Sequence, residues 1–190
     1  MITIKPVSSK EELRQIKALQ DRNLRKNLAP GEAESEGFLS AEYSIELLEK
    51  MHEQKPSIIA VDGDAVVGYA LVTLKAVAHL HPLLDDLFNT IDKTMFNSQL
   101  LVNTKYVVVG QLCVSKEYRG RNLVQGMYNE FRQQLVNEFD YCITDVAEAN
   151  PRSLKAHLGS GFKVIDQLGY GGIKWNIVLW DWKSDKMACN

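Results

Sequence analysis

The stretch VVVGQLCVSKEYRGRNLVQGMYNEF, residues 107–131, joins an apolar run to an apolar-periodic run through a short basic turn with one glycine. The apolar run predicts a buried strand over Tyr106–Val114, because valine-rich runs of this length suit a strand covered on both faces. Behind the turn, apolar residues at helical spacing predict a helix over residues 122–138; they are Leu123, Met127, Phe131 and Leu135. A further apolar run at residues 141–146 completes the order strand, helix, strand, which implies a right-handed parallel crossover.

The remaining elements add antiparallel strands and further helices around this crossover. Ser9 and Glu12 have the spacing of a capping box, which predicts a helix start after a first strand at residues 1–7. The Asp-Gly pair at residues 62–63 predicts a hairpin. The other predicted elements are helices over residues 12–27, 40–54 and 151–158, strands over 57–61, 65–74, 162–169 and 173–182, a polar loop over 28–37, and an insertion over 76–105 that lies over the sheet. We therefore expect a mixed α/β fold in one domain, residues 1–190, with a central twisted mixed sheet and helices on both faces.

Composition and charge exclude several classes of protein. Hydrophobic residues make up 45% of the chain and charged residues 24%, as in ordinary globular domains. No apolar run reaches the roughly twenty residues of a membrane span, and residues 1–13 lack the pattern of a secretory signal. A formal net charge of −2 provides no overall field for nucleic acid. We therefore expect a cytoplasmic protein without a membrane or nucleic-acid partner, whose three separate cysteines, Cys113, Cys142 and Cys189, are reduced thiols.

The basic turn between the strand and the helix has the features of an anion site. The helix that follows points free N–H groups into the turn, and a helix start carries about half a positive charge. Gly120 lets the backbone approach a ligand closely, and Arg119 and Arg121 add guanidinium groups that suit phosphate oxygens. The turn has neither the GxxxxGK[ST] nor the GxGxxG pattern of common nucleotide-binding loops. The sequence therefore predicts that this turn binds a phosphate group of a ligand other than those bound by the common nucleotide-binding loops.

A second segment, NPRSLKAHLGSGF at residues 150–162, follows the crossover. Asn150 is a suitable helix N-cap, and Pro151 suits the first helical position. Together the two segments resemble the GNAT superfamily of acyl-CoA N-acyltransferases, most closely over residues 106–162. In that family an R-x-x-G-x-G/A turn binds the coenzyme A pyrophosphate through backbone amides. A later N-x-x-(A/S)-x-x-x-(Y)-x-x-x-G-F segment lines the pantetheine and thiol end.

The resemblance can be followed residue by residue. The first motif corresponds to Arg119, Gly120, Arg121, Asn122, Leu123 and Val124; Asn122 and Val124 replace smaller family residues. The second motif corresponds to Asn150, Ser153, His157, Gly161 and Phe162. The resemblance also implies that backbone near Leu112, Cys113 and Val114 polarises a thioester carbonyl. The resemblance implies that acetyl-CoA is the co-substrate and that no metal takes part. It also implies that an amine of a small molecule or protein attacks the thioester directly in a ternary complex.

The candidate acid and base follow the same mapping. His157 stands where the family often has a tyrosine as general acid. With an ordinary pKa of about 6.5, roughly a quarter of its side chains would be protonated at pH 7. Glu148, just past the strand at residues 141–146, is the first candidate base, with Asp145 second and a chain of waters as an alternative. Gln111 cannot take a proton, and Cys113 has no evident histidine partner for covalent catalysis.

Three functions remain open at this level. The first is acetyl transfer to an amine. The second is a coenzyme A-binding sensor or interaction domain without turnover, which Gln111 and Val124 motivate. The third is a basic-turn protein that binds RNA or another phosphate ligand. We expect the first two helices, residues 28–38 and the insertion to select the acceptor. His79 and His81 are interpreted as surface residues rather than zinc ligands. Whether the chain forms a homodimer stays open.

Overall fold

The computed structural model describes residues 1–29, 31, 37–170 and 172–184. Its centre is a seven-stranded sheet in the order β1-β2-β3-β6-β7-β9-β8, with a separate two-stranded hairpin formed by β4 and β5. The strands are β1 Ile2–Pro6, β2 Ile58–Asp62, β3 Ala65–Thr73, β4 Met95–Phe96, β5 Gln99–Leu100, β6 Tyr106–Val114, β7 Tyr141–Ala147, β8 Lys163–Tyr170 and β9 Ile173–Asp181. The helices are α1 Lys10–Asn23, α2 Ile45–Gln54, α3 Pro82–Lys93, α4 Leu123–Leu135 and α5 Pro151–Leu158. The mixed α/β fold expected from the sequence is confirmed.

Most predicted boundaries agree with the structure, and the differences have local causes. The capping box is present, since the Ser9 side chain accepts from the Glu12 N–H and the Glu12 carboxylate accepts from the Ser9 N–H. Helix α1 ends at Asn23 rather than residue 27, because Leu24 is extended and bridges to Leu39. Helix α2 begins five residues later than predicted, because the Ser44 side chain caps it. Much of the predicted polar loop, at residues 30 and 32–36, and Cys189 lie outside the described residues.

The sheet carries helices on both faces. Alternate residues of a strand point to opposite faces, so each strand contributes to two cores. On one face, Ile59 and Tyr69 pack with residues of α1 and α2, while Val108 and Ile143 pack with α3. On the other face the strands pack against α4, through Met127, Tyr128, Phe131 and Leu135. The predicted apolar stripe is therefore the buried face of α4.

The predicted insertion supplies α3 and the β4–β5 hairpin. Its helix begins at Pro82, and the His81 Nδ1 accepts from the Leu83 N–H at 3.2 Å. Leu87, Phe88 and Ile91 are buried against the sheet. The segment thus covers one face of β6, β7 and β9.

Strands β6 and β7 pair in parallel over a short distance and then diverge. The register pairs Tyr106 with Tyr141, Val107 with Cys142 and Val108 with Ile143, although both strands continue beyond these pairs. On its other side β6 pairs antiparallel with β3, and this register shifts between Ala70 and Val72. Such a bulge bends a strand, and here it places Gly110 and Gln111 where β6 leaves β7. The opening between the two strands is the position of the site described below.

The bend leaves no room for a side chain at residue 110. A Cβ on Gly110 would lie 2.2 Å from Thr73 Oγ1. We predict that Gly110→Ala lowers the free energy of unfolding by about 1–3 kcal/mol, as overpacked core substitutions do. A urea titration measures this, and the cost should shrink when Thr73→Ala is present, because that change removes the clashing oxygen. An equal cost in both backgrounds would contradict the assignment of the bulge contact.

Candidate active site

A groove runs across the open edge of β6 between the start of α4 and the start of α5. We use groove for the cavity lined by Leu112, Cys113, Val114, Arg119, Gly120, Asn122, Leu123, Val124, Asn150, Arg152, Ser153 and neighbouring residues. Its volume of about 290 Å³ is close to the lower end of the range found for small-molecule sites. Because both helices begin at it, their N-terminal ends give the groove a positive potential. The groove therefore suits an anionic ligand.

The basic turn adopts a conformation that opens the α4 N-terminus. Asn122 is the N-cap and is left-handed, with φ 58° and ψ 20°, and Gly120 has φ 77°. A Cβ on Gly120 would meet nothing within 4 Å among the described residues, so the glycine serves the backbone conformation rather than close packing. The asparagine tolerates this conformation better than most residues do. The replacement of the family glycine by Asn122 therefore leaves the turn intact.

The two arginines of the turn have different environments. Arg119 Nε donates to the Val114 carbonyl at 3.1 Å, and its Nη2 donates to Asn23 Oδ1 at 3.0 Å. Arg119 thus ties the turn to the end of β6 and to α1, as well as lining the groove. Arg121 is exposed, and its guanidinium lies 4.9 Å from the centre of the Tyr118 ring.

Asn150 holds the other side of the groove. Its side-chain oxygen accepts from the Ser153 N–H at 3.2 Å, which caps α5, and its Nδ2 donates to the Phe38 carbonyl at 3.1 Å. Asn150 is buried, so both hydrogen bonds are screened from water. The residue therefore fixes the start of α5 and the loop at Phe38 in one arrangement.

A second cavity lies beside the groove, at the opening between β6 and β7. We use chamber for this cavity, which is lined by Ala41, Tyr43, Leu83, Leu84, Leu87, Gly110, Gln111, Thr144, Asp145, His157, Trp175 and neighbouring residues. Leu112, Asn150 and Ser153 line both the groove and the chamber. Helix α3 provides the apolar wall of the chamber through Leu83, Leu84 and Leu87, and Trp175 of β9 also lines it.

Asp145 is the carboxylate that the structure brings to the chamber. Its Oδ2 is buried and has no hydrogen-bond partner among the described residues. Burial raises the pKa of Asp145 to about 7, because removal from water disfavours the charged form. Its charge also helps to raise the pKa of Tyr43, after burial, so the two groups are close. A carboxyl group with this pKa can accept a proton at neutral pH.

Glu148, the first candidate base, lies elsewhere. Its side chain is exposed, and its backbone N–H donates to the Lys174 carbonyl at 2.9 Å, one residue beyond the end of β7. Glu148 lines neither the groove nor the chamber among the cavities of the described residues. The order of preference is therefore corrected to Asp145 before Glu148, since strand alternation points Asp145 into the opening.

His157 lies in the chamber wall but is not in the expected charge state. Burial lowers its pKa to about 4, so only about one side chain in a thousand is protonated at pH 7. The expectation that a quarter would be protonated is wrong. The His157 Nδ1 lies 2.8 Å from the Ser153 carbonyl, which can only accept, so the neutral ring carries its hydrogen on Nδ1. Nε2 is then a hydrogen-bond acceptor, and a role as proton donor is disfavoured.

Gln111 is occupied in a buried network rather than in chemistry. Its Oε1 accepts from Gln20 Nε2 at 3.0 Å and from the Tyr69 hydroxyl at 2.7 Å, and its Nε2 donates to the Ala41 carbonyl at 2.8 Å. Gln20 Oε1 in turn accepts from the Tyr43 N–H at 2.9 Å. The network fixes the loop that carries Tyr43 against the bulge of β6.

Cys113 is poorly suited to act as a nucleophile. It is buried, and burial raises the pKa of its thiol to about 12, so it remains protonated at neutral pH. Cys142 is likewise buried with a raised pKa. The described cysteines therefore behave as the small hydrophobic residues expected from the sequence.

Sequence reasoning missed Arg152 and the bulge. Arg152 lines the groove from the first turn of α5, where a cation is unfavourable next to the helix dipole unless an anion is near. The position of Arg152 in the first turn of a predicted helix was the sequence signal that could have identified it. For the bulge, the signal was Gly110 within an otherwise apolar strand.

Searches of the described residues for other sites add two findings. No helix there is long and apolar enough to cross a membrane. No group of three or more histidine, cysteine, aspartate or glutamate side chains within those residues is placed to hold a metal ion.

Comparisons with known proteins show which solved structures share this fold. No family model matches the chain, and no curated protein matches its sequence. Among solved structures, a GNAT-family acetyltransferase from Streptococcus agalactiae aligns with a TM-score of 0.67 at 13% identity, covering 95% of each chain. A chain of the NatC complex bound to Gag peptide and CoA aligns at 0.65 and 17% identity, covering 95% of this chain and 98% of that one. A Salmonella typhimurium protein with its cofactor acetyl-CoA aligns at 0.59 and 13% identity, covering 96% and 94%.

The chain therefore has the GNAT fold over nearly its whole length. The resemblance drawn from the motifs is confirmed at the level of the fold, including the mixed sheet and the helices on both of its faces. Identities of 13–17% do not reach the level of individual site residues.

The left-handed N-cap provides a test of the turn. A residue with a Cβ costs about 1 kcal/mol or more in this conformation, and asparagine costs less than alanine. We predict that Asn122→Ala lowers the free energy of unfolding by about 1 kcal/mol and that Asn122→Gly leaves it equal or higher. Urea titration of both variants measures this. Equal losses would show that the Asn122 side chain, rather than its backbone, stabilises the turn.

Proposed function

We propose that this protein is an N-acetyltransferase that transfers the acetyl group of acetyl-CoA to a primary amine by direct attack in a ternary complex. The observation that carries the proposal is that the groove and the chamber lie side by side and share wall residues, among them Leu112, Asn150 and Ser153. An anion site between two helix starts thereby adjoins a cavity lined by a carboxyl group with a pKa of about 7. Two compartments that meet at one strand edge are what a reaction between two substrates requires.

The groove fits coenzyme A by its donor set. The open N-terminus of α4 offers backbone N–H groups to the pyrophosphate, with Gly120 permitting close approach and the guanidinium groups of Arg119 and Arg152 adding charge. Arg121 is not among the described residues that line the groove but adds charge from the exposed side of the same turn, over the Tyr118 ring. Val124 lines the groove in place of a smaller family residue. Asn150 and Ser153 lie at the junction with the chamber, where the thiol end belongs by resemblance.

The free backbone edge of β6 can polarise a carbonyl. The Ser115 N–H donates to the Val67 carbonyl at 2.8 Å, and Tyr69 pairs with Cys113 in the β3–β6 register. Since N–H groups alternate between the two sides of a strand, those of Leu112 and Val114 face the side from which β7 has diverged. Such N–H groups can stabilise the negative charge that develops on the thioester oxygen.

Asp145 is proposed as the general base. Bound acetyl-CoA supplies an acyl carbon with a thiolate leaving group. The acceptor nitrogen loses a proton to the Asp145 carboxylate, its C–N bond forms as the C–S bond breaks, and the thiolate is released as thiol after taking up a proton. His157, neutral and with Nε2 as an acceptor, is proposed to orient groups at the thiol end, in place of the acid role predicted from the sequence. The buried Cys113 thiol makes a covalent acyl-cysteine route unfavourable.

A coenzyme A-binding domain without turnover is the second candidate. Gln111 motivated this alternative, but both the oxygen and the nitrogen of its side chain are hydrogen-bonded in the loop network. The carboxylate that turnover needs is provided by Asp145 instead. Binding of acetyl-CoA without release of thiol across a panel of amines would favour the second candidate.

Loss of the turn arginines tests the groove. We predict that Arg119→Ala with Arg121→Ala weakens acetyl-CoA binding about tenfold or more, since two charge-assisted contacts are removed. The melting temperature with and without millimolar acetyl-CoA measures this, because ligand at about a hundred times its Kd adds roughly 2.7 kcal/mol of stability. Arg14→Ala is the matched control, since Arg14 is exposed and pairs with Glu11 away from the groove. An equal thermal shift with acetyl-CoA in the double variant and the control would contradict the assignment of the groove. Salt-sensitive RNA binding without any effect of coenzyme A would favour the RNA-binding alternative.

Substitution of Asp145 tests the base. We predict that Asp145→Asn lowers kcat about a hundredfold or more while leaving the thermal shift with acetyl-CoA unchanged. In the wild type, kcat should rise with pH to a plateau above about 7, and this inflection should disappear in the variant. Glu148→Gln is the matched control and should retain activity, because Glu148 is exposed outside both cavities. A similar loss in the control and the Asp145 variant would overturn the assignment.

Asp145→Asn is expected to lower kcat without lowering the melting temperature above about pH 7. The pKa of Asp145 is higher in the folded protein, at about 7, than the value of about 3.9 in an unfolded chain. The stabilisation from the protonated form is therefore complete below about 3.9 and is lost as the pH rises through about 7. At pH values above this, Asp145→Asn should melt at or above the temperature of the wild type. A lower melting temperature there would show that the carboxylate has a structural partner.

A further inference from the structure

The chamber wall presents two buried polar groups of opposite kind. Asp145 Oδ2 is an acceptor and Trp175 Nε1 is a donor, and neither has a hydrogen-bond partner among the described residues. Trp175 is 6% exposed, so its N–H is shielded from solvent. Buried polar groups without partners are rare in native proteins, and each one left unpaired costs about 1–3 kcal/mol. Two such groups in the wall of one cavity indicate a ligand that pairs with both.

The strand register places these groups on the same face of the sheet. In the β7–β9 pair, Asp145 lies opposite Ile177 and Ala147 lies opposite Trp175. Asp145 and Trp175 are therefore diagonal neighbours, whose Cβ atoms are roughly 7 Å apart in such a ladder. Both side chains line the chamber, so one small ligand there can contact Oδ2 and Nε1 together. The ligand thus carries a nitrogen donor and an oxygen acceptor on nearby atoms.

The other lining residues restrict that ligand further. Among the described residues that line the chamber, the titratable ones are Tyr43, Asp145 and His157, with no lysine or arginine. A free carboxylate would be repelled by Asp145 and would find no cation, so the oxygen belongs to a neutral group. The leucines of α3, Leu83, Leu84 and Leu87, form an apolar wall beside it. An apolar substituent next to the amine matches this wall.

We propose that the acceptor is an α-amino amide with an apolar side chain, whose amino group meets Asp145 and whose carbonyl oxygen accepts from Trp175 Nε1. This inference rests on the proposed acetyl transfer and names the class of its acceptor. The chemistry is shared by small amino acid amides and by the N-terminal residue of a peptide.

The basicity of the acceptor agrees with this class. An α-ammonium group has a pKa of about 7.7–8.0, whereas a lysine ammonium group has one of about 10.4. Proton transfer to Asp145, with its pKa of about 7, is nearly balanced for the former and uphill by about three pKa units for the latter. The base in the chamber is thus matched to an α-amine.

Four amines and one substitution test the proposal. The amines are L-leucinamide, L-leucine, which has a carboxylate instead, isopentylamine, which lacks the oxygen, and glycinamide, which lacks the apolar side chain. We expect kcat/KM for thiol release from acetyl-CoA to be highest for leucinamide, by about tenfold or more over each of the others. Trp175→Phe keeps the ring but removes Nε1, and it should lower kcat/KM for leucinamide about tenfold while leaving isopentylamine within about twofold. Comparable losses for both amines, or comparable rates for all four, would overturn the proposal.

Binding of leucinamide and isopentylamine to the coenzyme A-loaded protein, measured by calorimetry, separates this inference from the proposed function. Tighter binding of leucinamide that Trp175→Phe abolishes, without thiol release, would support the chamber assignment and refute the transferase. Equal binding of the two amines would refute the chamber assignment whatever the turnover. A tripeptide with N-terminal leucine, used as a further substrate, distinguishes a peptide acceptor from a free amide. The melting temperature of Trp175→Phe with acetyl-CoA confirms that the variant is folded and retains its groove.

Discussion

The separation of β6 from β7 is the constraint on which the rest of the site depends. Adjacent strands ordinarily satisfy each other's backbone groups along their shared length, and here the pairing ends after Val108 and Ile143. The bulge at Gly110 and Gln111 bends β6 away, so the N–H groups of Leu112 and Val114, which alternate onto the β7 side, face a cavity rather than a neighbouring strand. The groove, the chamber and the junction between them all lie along this edge. Under the proposed function, the same opening provides a backbone donor for the reaction and leaves the groove and the chamber for its two substrates.

Keeping such an opening in a folded sheet requires support from its surroundings. Gln111 joins Gln20, Tyr69 and the loop at Ala41 in one buried hydrogen-bond network, and the Tyr43 hydroxyl donates to the Gly110 carbonyl at 3.0 Å. On the β7 side, the Thr144 hydroxyl donates to the Val109 carbonyl at 2.7 Å. These side chains replace strand-to-strand bonds at the point of divergence. A buried carboxyl group such as Asp145 is tolerated next to them because it can remain protonated below about pH 7.

Much of the fold follows from sequence patterns that act locally. The capping box at Ser9, the strand at Tyr106–Val114 and the helix at Pro151–Leu158 depend on neighbouring residues, and the structure confirms them. The site is predicted less completely, because its chemistry depends on contacts between distant segments. The pKa of His157 is lowered by burial against Tyr128 and Phe162. Tyr128 belongs to α4, and Phe162 lies beyond the end of α5. The sequence did not distinguish the exposed Glu148 from Asp145, which lines the chamber, for the same reason, since burial is a property of the assembled sheet.

Asn150 has a consequence for how the two cavities communicate. Its side chain is at once the cap of α5, a hydrogen-bond donor to the Phe38 carbonyl and a wall of both the groove and the chamber. A ligand that repositions this amide in one cavity changes the shape of the other, so the two binding equilibria share a coupling free energy. Thermodynamic linkage makes such coupling reciprocal: the factor by which the first ligand alters affinity for the second is also the factor by which the second alters affinity for the first. A single buried amide in the shared wall can thus couple two binding equilibria, and the coupling is the same whichever ligand binds first.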